Sequence, residues 1–216
     1  MKRCIIFGGG PLSDCDKIQL DLQAQDDTIA CDAGYLTARH FGIVPRLVVG
    51  DFDSYKGAIE NGAQVYTAPV RKDDTDTMLA VKLALKAGCK EFLLIGMLGG
   101  RLDHTLANLQ TLGYLCEHGA RGEIRANRNR CWAVQNGALR LKRLEGWHLS
   151  VFALDGCCRG VSLRGVSYPL EGATLISSFP LGVSNEFAAE TAEIAVEDGT
   201  LLVIASQEGG EGSCQS

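Results

Sequence analysis

Two aspartates flank one apolar residue in Asp51-Phe52-Asp53, which directly follows the short run Val48-Val49-Gly50. Successive side chains of an extended segment point to opposite sides, so Asp51 and Asp53 point to the same side. Two carboxylates placed in this way can bind one cation together. The pattern predicts a metal-binding site at the end of a strand, although Asp is also common in the ordinary turns that follow strands.

Further aspartates follow other predicted strands of the first half of the chain: Asp32 follows the second strand, Asp73, Asp74 and Asp76 the fourth, and Asp103 the fifth. The carboxyl ends of parallel strands meet at one edge of a sheet, where α/β proteins bind their ligands. At an effective dielectric constant of about 20, two carboxylates about 6 Å apart repel by nearly 3 kcal/mol, and a bound cation removes this repulsion. Taken singly, each is a common cap or turn residue, and Asp76 is a suitable N-cap for the following helix.

Oxygen ligands without a supporting His or Cys cluster favour Mg²⁺, which commonly binds together with a phosphate substrate. Lys72 and Arg101 lie next to the acidic residues, so both cations could bind phosphate oxygens that the metal leaves free. Gly99-Gly100 allows the backbone to approach such a ligand, and the N-terminus of the following helix favours anions. His104 and Asn108 lie four residues apart on that helix and share a face. For His104 a packing or capping role is the alternative.

Strand-like and helix-like segments alternate in the first part of the chain. Strands are predicted at 4–7, 28–31, 47–49, 64–67, 92–97 and 123–125, and helices through residues 18, 20 and 22, at 35–41, at 77–87 and at 104–117. This alternation is typical of a parallel sheet with helices on both faces. We therefore predict an α/β, Rossmann-like domain over residues 1–128.

In the second part of the chain, the apolar residues no longer recur with the period of a helix but alternate as in strands. Alternating runs at 139–142 and 193–197 are typical of half-buried antiparallel strands. Hairpin-type dipeptides occur at Asn136-Gly137, Asp155-Gly156 and Asp198-Gly199. We therefore predict an all-β sandwich domain over residues 129–216.

Composition excludes several classes of protein. A net charge of −5 without a basic run argues against a nucleic-acid partner. The apolar run before Gly8 is too short for a signal peptide or a membrane span, so we expect a cytoplasmic protein without a membrane partner. The nine cysteines include no CxxC pair and are expected to be free thiols. The P-loop motif GxxxxGK[ST] does not occur in the sequence.

The ordered motifs resemble the thiamine pyrophosphokinase (thiamine diphosphokinase) family of the bacterial type, and the resemblance covers nearly the whole chain. The motifs are Cys31-Asp32-Ala33-Gly34, Gly50-Asp51-Phe52-Asp53-Ser54, Lys72-Asp73-Asp74-Thr75-Asp76, Gly99-Gly100-Arg101-Leu102-Asp103-His104 with Asn108, and Ser184-Asn185-Glu186-Phe187. The resemblance implies transfer of the pyrophosphoryl group of ATP to the hydroxyl of thiamine, with Mg²⁺, giving thiamine diphosphate and AMP. It also implies a homodimer with thiamine bound between the subunits, and an α/β nucleotide-binding domain followed by a β-sandwich that binds thiamine.

Residue roles follow from the same resemblance. Asp51, Asp53 and Asp76 are implied as the metal ligands and catalytic carboxylates. The implied nucleotide and active-site residues are Asp32, Ser54, Lys72, Asp73, Thr75, Arg101, Asp103, His104 and Asn108. Tyr168 takes the place of an aromatic residue that packs on thiamine, and Ser184 and Asn185 match the loop that binds its pyrimidine.

A carboxylate near the hydroxyl could accept its proton, and Asp76 and Asp53 are both candidates for this base. Two other functions are compatible with parts of the sequence. Asp51-Phe52-Asp53 is similar to the DxDx[TV] nucleophile motif of haloacid-dehalogenase-type phosphohydrolases, but Tyr55 stands where Thr or Val is expected. A non-catalytic nucleotide-binding module would explain the acidic edge but not the loops of the second domain.

Overall fold

The computed structural model describes residues 1–51, 57–60, 62–67 and 74–208 of the 216-residue chain. The predicted site residues Asp53, Ser54, Lys72 and Asp73 lie outside the described residues. The chain has a mixed α/β fold and divides into two compact units, Met1–Asn127 and Arg128–Ser216. Within the described part of the chain, no helix is long and apolar enough to cross a membrane.

The first unit contains a sheet in which every described strand pair is parallel. Its strands are β1 (Arg3–Phe7), β2 (Asp27–Cys31), β3 (Leu47–Gly50), β4 (Gln64–Thr67), β5 (Glu91–Ile95) and β6 (Arg121–Arg125). They are arranged in the order β4-β3-β2-β1-β5-β6. Strands β2, β3 and β4 therefore follow one another on one side of β1, whereas β5 and β6 lie on its other side. The order of the strands thus reverses between β1 and β5. Ligands bind at such a point in open α/β sheets.

The α-helices of the first unit are α1 (Gly34–His40), α2 (Asp76–Lys86) and α3 (Leu102–Glu117). Tyr35 and Ala38 of α1 belong to the same core cluster as Leu93 and Ile95. Leu94 lies between these two strand residues and points to the other face, because side chains alternate along a strand. A Cβ placed on Gly122 would lie 2.6 Å from Leu115 of α3 and 3.5 Å from Leu94. Helices α1 and α3 therefore pack on opposite faces of the sheet.

One predicted helix of this unit is wrong. A 3₁₀ helix at Leu12–Asp14 is followed by irregular backbone where a helix through residues 18, 20 and 22 was expected. Apolar residues spaced by two do not form a helical face, which requires spacings of three and four. Ile18 and Leu20 instead pack as loop residues against the core cluster on the α1 side of the sheet.

The second unit is built from antiparallel strands. They are β7 (Asn129–Lys142), β8 (Trp147–Ala153), β9 (Cys157–Arg164), β10 (Leu170–Ile176), β11 (Gly182–Glu186) and β12 (Thr191–Gln207). The long strand β12 pairs with β7 on one side, and on the other side first with β9 and then with β8. Strand β10 pairs with β9, and β11 pairs with β8. The alternating runs at 139–142 and 193–197 are confirmed as antiparallel partners.

The hairpin prediction is wrong at all three dipeptides. Asp155-Gly156 lies between β8 and β9, which both pair with β12 and, within the described residues, not with each other. Asn136-Gly137 lies inside β7 and Asp198-Gly199 lies inside β12, where the register between these two strands shifts. Asn136 has a φ of +45° and Gly199 a φ of +112°, and the Gly199 N–H donates to Asn136 Oδ1 at 2.9 Å. The positive φ that Asn and Gly tolerate in a tight turn also suits a β-bulge, so the dipeptides alone do not separate the two.

Candidate active site

Asp32 and Asp51 follow neighbouring strands of the first unit. Asp32 stands directly after β2, and Asp51 directly after β3. The Asp32 N–H donates to Val49 O at 2.8 Å. A Cβ on Gly50 would lie 3.0 Å from the Asp32 Cβ, so the backbone that carries Asp51 is in contact with Asp32. The sequence predicts a shared sheet edge for Asp32 and Asp51, and the parallel pairing of β2 with β3 makes the two residues neighbours at that edge.

The first residue of α2 reaches the same place. The Cys31 thiol donates to the backbone carbonyl of Asp76 at 3.5 Å, which ties the start of α2 to the end of β2. Asp32, Asp51 and Asp76 therefore occupy element ends that contact one another around β2. No sequence signal identifies Cys31 as the residue that connects β2 with α2, because a buried cysteine is usually interpreted as a core residue.

Asp32 has an unusual backbone conformation. It is 7% exposed and has a φ of +46°, in the left-handed region. Non-glycine residues seldom adopt this region, and those that do are concentrated at functional sites, where the surrounding structure fixes the direction of the side chain. The left-handed turn at Asp32 follows a strand directly, at the edge of the sheet where ligands bind.

Carboxylate oxygens are the donors that a hard divalent cation prefers, and Asp51 and Asp76 fit such a cation chemically. Within residues 1–51, 57–60, 62–67 and 74–208, no group of three or more His, Cys, Asp or Glu side chains is arranged to hold a metal ion. The third predicted ligand, Asp53, lies outside these ranges.

The start of α2 differs from one expectation. Thr75, not Asp76, is the N-cap: its hydroxyl oxygen accepts a hydrogen bond from the Met78 N–H at 3.1 Å. Asp76 is the first helical residue, where a carboxylate interacts favourably with the helix dipole. Asp74 is bound by Lys82, whose Nζ donates to both carboxylate oxygens at 2.7 and 2.8 Å. Asp74 thus has a structural partner within its own helix region.

Arg101 and Asp103 form a two-point ion pair just before and within the first turn of α3. Arg101 Nε donates to Asp103 Oδ1 at 3.1 Å, and Nη2 donates to Oδ2 at 2.6 Å. The same carboxylate accepts the His104 N–H at 3.0 Å. The hydrogen bonds from Arg101 lower the pKa of the Asp103 carboxyl. Both side chains are exposed, so a phosphate could compete with Asp103 for Arg101.

Asn108 of α3 is buried and supports the loop that follows β5. Its Nδ2 donates to Met97 O at 2.8 Å. The Thr77 hydroxyl of α2 donates to Met97 Sδ at 3.8 Å, and a Cβ on Gly8 would lie 2.9 Å from the same sulfur. Met97 therefore joins α3, α2 and the end of β1.

Asp14 is a neighbour of the predicted site that sequence reasoning missed. Its Oδ2 lies only 1.9 Å from the position that a Cβ on Gly99 would take, and Gly99 has a φ of +83°. Asp14 is the last residue of the 3₁₀ helix Leu12–Asp14 that follows β1, more than eighty residues away in the sequence. Its contact with the Gly99-Gly100 loop arises because β1 and β5 are paired, a fact that no local pattern reveals.

In the second unit, the loop that carries Tyr168 contacts strand β11, which carries Ser184, through Asn185 of that strand. The Tyr168 side chain is 71% exposed, whereas Asn185 is 4% exposed. Asn185 hydrogen-bonds both the N–H and the carbonyl of Tyr168, at 2.9 and 2.7 Å. Ser184 is exposed and has a φ of +58°. The resemblance implies that these three residues act together, and the structure places them in one cluster.

A parallel sheet with aspartates after its strands, joined in one chain to an antiparallel β unit, is typical of α/β proteins that bind ligands at the carboxyl edge of the sheet. Comparison with known proteins narrows this class. Residues 19–122 match the model described as "Thiamin pyrophosphokinase, catalytic domain", and residues 138–201 match "Thiamin pyrophosphokinase, vitamin B1 binding domain". The chain therefore belongs to the thiamin pyrophosphokinase family, whose enzymes are ATP-dependent diphosphotransferases.

Individual relatives agree with this family. The curated thiamine pyrophosphokinase of Bacillus subtilis (strain 168) is 28% identical over 218 residues, which cover 95% of this chain and 99% of the relative. A crystal structure of thiamine pyrophosphokinase from Bacillus subtilis superposes with a TM-score of 0.86 at 25% identity, covering 96% of this chain and 100% of that chain. A thiamin pyrophosphokinase family protein from Enterococcus faecalis gives a TM-score of 0.82 at 26% identity, covering 97% and 100%.

Proposed function

We propose that the chain transfers the diphosphate group of Mg²⁺-bound ATP to the hydroxyl of thiamine, giving thiamine diphosphate and AMP. The observation that carries this proposal is the contact of three element ends around β2, which bear Asp32, Asp51 and Asp76. In this reaction the thiamine hydroxyl oxygen forms a bond to the β-phosphorus, and the bond from that phosphorus to the α,β-bridging oxygen breaks. AMP leaves with the bridging oxygen.

We assign the roles of the two parts of the chain in the same way. Residues 1–128 would form a Rossmann-like domain that binds the nucleotide, and residues 129–216 a β-sandwich that binds thiamine. The parallel order of the first unit and the antiparallel pairing of the second support this division.

Asp51, Asp53 and Asp76 would hold Mg²⁺, which, when bound, neutralises phosphate charge and polarises the phosphorus. Lys72 and Arg101 would bind the remaining phosphate oxygens. Either Asp76 or Asp53 would accept the proton of the thiamine hydroxyl, because both belong to the same acidic group. Alignment and charge neutralisation provide most of the rate in this type of reaction.

Arg101 would have to exchange a partner when the nucleotide binds. In the structure its guanidinium binds Asp103 at two points, in the same fork geometry that a phosphate accepts. The pair keeps the guanidinium oriented beside Gly99-Gly100 before the nucleotide arrives. Asp103 would therefore orient Arg101, while Asp32, Ser54, Asp73, Thr75, His104 and Asn108 would complete the nucleotide site.

On the second unit we propose that the exposed Tyr168 ring packs against thiamine and that its pyrimidine binds at the segment of Ser184 and Asn185, where the Ser184 hydroxyl contacts it. A large aromatic side chain that is 71% exposed has little contact with its own core and is available to a ligand. We further propose a homodimer with thiamine bound at the subunit interface.

The nucleotide product tests the proposed function. The protein is incubated with ATP, Mg²⁺ and thiamine, and the nucleotides are separated and identified. AMP that appears in equal amount with thiamine diphosphate is expected. A phosphohydrolase of the haloacid-dehalogenase type would release phosphate and ADP, and a non-catalytic nucleotide-binding module would leave ATP unchanged; either result would overturn the proposal.

A further inference from the structure

The loop that carries Tyr168 is joined by backbone hydrogen bonds to the end of β11, the strand that carries Ser184, and to the residues just after it. Val166 and Phe187 form an antiparallel bridge, and the Ser167 N–H donates to Glu186 O at 3.0 Å. The Ala188 N–H donates to Gly165 O at 3.0 Å. The Tyr168 loop and the end of β11 therefore form one paired element, although they lie about twenty residues apart in the sequence.

Asn185 uses its amide to fix this element at Tyr168. Its Oδ1 accepts the N–H of Tyr168 at 2.9 Å and the N–H of Glu186 at 2.9 Å, and its Nδ2 donates to the carbonyl of Tyr168 at 2.7 Å. An amide has two donor hydrogens and an acceptor oxygen with two lone pairs. Three of these four positions are used within the protein, and the residue is buried. Asn185 therefore acts on Tyr168 directly.

Ser150 of β8 fixes the other half of the element. Its hydroxyl oxygen accepts the N–H of Ser184 at 3.0 Å, and Ser150 is 8% exposed. Ser184 has the left-handed φ of +58°, which a serine adopts only when its surroundings enforce it. The hydrogen bond from Ser184 to Ser150 is one such constraint.

These contacts separate two buried polar residues from two exposed ones. Asn185 and Ser150 are inside, whereas Tyr168 and Ser184 face outward. The hydrogen bonds of Asn185 and Ser150 do not bury the Tyr168 ring. The polar contacts instead define where an exposed ring and an exposed hydroxyl stand relative to each other, which is the geometry that recognition of a ligand requires.

We propose that Ser150 and Asn185 are positioning residues for thiamine, which act through Ser184 and Tyr168 and do not touch the substrate themselves. This inference rests on the proposed function, because it takes Tyr168 and Ser184 as the thiamine-binding groups. It assigns to Ser150 the role of holding the Ser184 backbone, and to the Asn185 amide the role of holding the Tyr168 backbone.

The kinetic test uses the full-length protein with the variants Ser150→Ala, Ser150→Thr and Asn185→Asp. Ser150→Ala is expected to raise the KM for thiamine about fivefold, the factor that corresponds to one lost hydrogen bond, and to change the KM for ATP and kcat less than twofold. Ser150→Thr keeps the hydroxyl and should restore the KM. Asn185→Asp keeps the acceptor but loses the donor to Tyr168 O, and should raise the thiamine KM about tenfold or more.

A matched control is Ser162→Ala. The Ser162 hydroxyl accepts the Gly172 N–H at the same distance of 3.0 Å, but this hydrogen bond joins β9 to β10 and not β8 to β11. This variant should leave the KM for thiamine unchanged. A rise equal to that of Ser150→Ala would show that any lost serine hydrogen bond in the unit has the same effect, and would overturn the positioning role.

Hydrogen exchange gives a readout that does not depend on activity. In peptides that cover 165–170 and 182–187, backbone amides should exchange faster in Ser150→Ala and Asn185→Asp than in wild type, with little change elsewhere. If wild type makes no thiamine diphosphate, the proposed function fails. If wild type is active and Tyr168→Ala raises the thiamine KM, but Ser150→Ala and Asn185→Asp leave both KM and exchange unchanged, only this inference fails.

Discussion

The two ends of strand β2 carry aspartates with different surroundings. Asp27 begins the strand and is bound by Lys2 at 2.6 Å and by Arg46 at 2.5 Å. Asp32 follows the strand, has left-handed backbone, and contacts Gly50 in the segment that leads to Asp51. At one end a carboxylate is neutralised by side chains of the protein, and at the other it lies among element ends that bear further carboxylates.

Position in the sheet therefore separates these acids. Asp27 stands at the amino edge, whereas Asp51 and Asp76 lie near the carboxyl edge, where open α/β sheets bind their ligands. At the amino edge of the sheet, Glu91 likewise binds Arg121. Near the carboxyl edge, Asp74 forms an ion pair with Lys82. Only the sequence motif groups Asp74 with Asp76. Substitutions at Asp27 or Asp74 are therefore expected to affect stability, and substitutions at Asp51 or Asp76 to affect catalysis.

The largest effect is expected from Asp51→Asn, and an equal one from Asp53→Asn. Each removes one carboxylate charge from the proposed metal site while keeping the side-chain size. The value of kcat/KM for thiamine diphosphate formation should fall by about 10² to 10³ or more, because electrostatic stabilisation of the transition state is lost. The melting temperature should change little.

The matched control for this charge change is Asp74→Asn. Asp74 is close in sequence to Asp76, but its carboxylate is held by Lys82. Its activity should stay within a few-fold of wild type. If Asp74→Asn and Asp51→Asn lose the same activity, the separation of structural from catalytic acids is wrong.

The next effect is expected from Arg101→Gln. The loss of a charge-assisted fork to phosphate should raise the KM for ATP by about tenfold or more, with a smaller change in the KM for thiamine. Steady-state kinetics with each substrate varied in turn measures this. Arg121→Gln, which removes a guanidinium paired with Glu91 at the opposite edge, is the control and should leave both KM values unchanged.

A moderate effect on stability alone is expected from Asp27→Asn. Burial acts to raise the pKa of Asp27, but the hydrogen bonds from Lys2 and Arg46 outweigh it, and the net pKa is lowered. The free energy of unfolding should fall by about 1 to 2 kcal/mol at pH 7, an amount kept small because both cations are partly exposed. Urea unfolding measures it, and kcat/KM should not change.

The ion pairs of Asp27 with Lys2 and Arg46 also predict how the stability of the protein depends on pH. A carboxyl with a lowered folded-state pKa stabilises the protein above the usual Asp pKa of about 3.9, and this stability is lost as the pH falls through the lowered value. The difference in unfolding free energy between wild type and Asp27→Asn should therefore be full at pH 6 to 7 and shrink below about pH 4. A difference that grows on acidification would contradict the assignment.

Much of the first unit is predictable from sequence because its signals are local. The β-branched and apolar runs that form β1, β2, β3 and β5 are bounded by glycine or aspartate, and the helix around Val81 has a clear apolar face. The approach of Asp32 to Asp51 then follows from adjacent parallel strands. The contact of Cys31 with Asp76 does not follow, because it joins residues 45 positions apart through one sulfur atom.

The second unit is less predictable because its signals are ambiguous in physical terms. Asn136-Gly137 has the conformational freedom that suits both a tight turn and a bulge, and only the pairing of β7 with β12 decides between them. Ser150 carries no motif and lies on a strand like any other serine. Its role depends on the Ser184 N–H, 34 residues away, which becomes visible only with coordinates.

The central claim is that the carboxylates of Asp51, Asp53 and Asp76 hold one divalent cation against the triphosphate. Binding of Mn²⁺, measured by electron paramagnetic resonance with a non-hydrolysable ATP analogue present, tests it most directly. Wild type and Asp74→Asn should bind Mn²⁺ with equal affinity. The variants Asp51→Asn, Asp53→Asn and Asp76→Asn should each bind Mn²⁺ at least tenfold more weakly. Equal Mn²⁺ affinity in all five proteins would contradict the account.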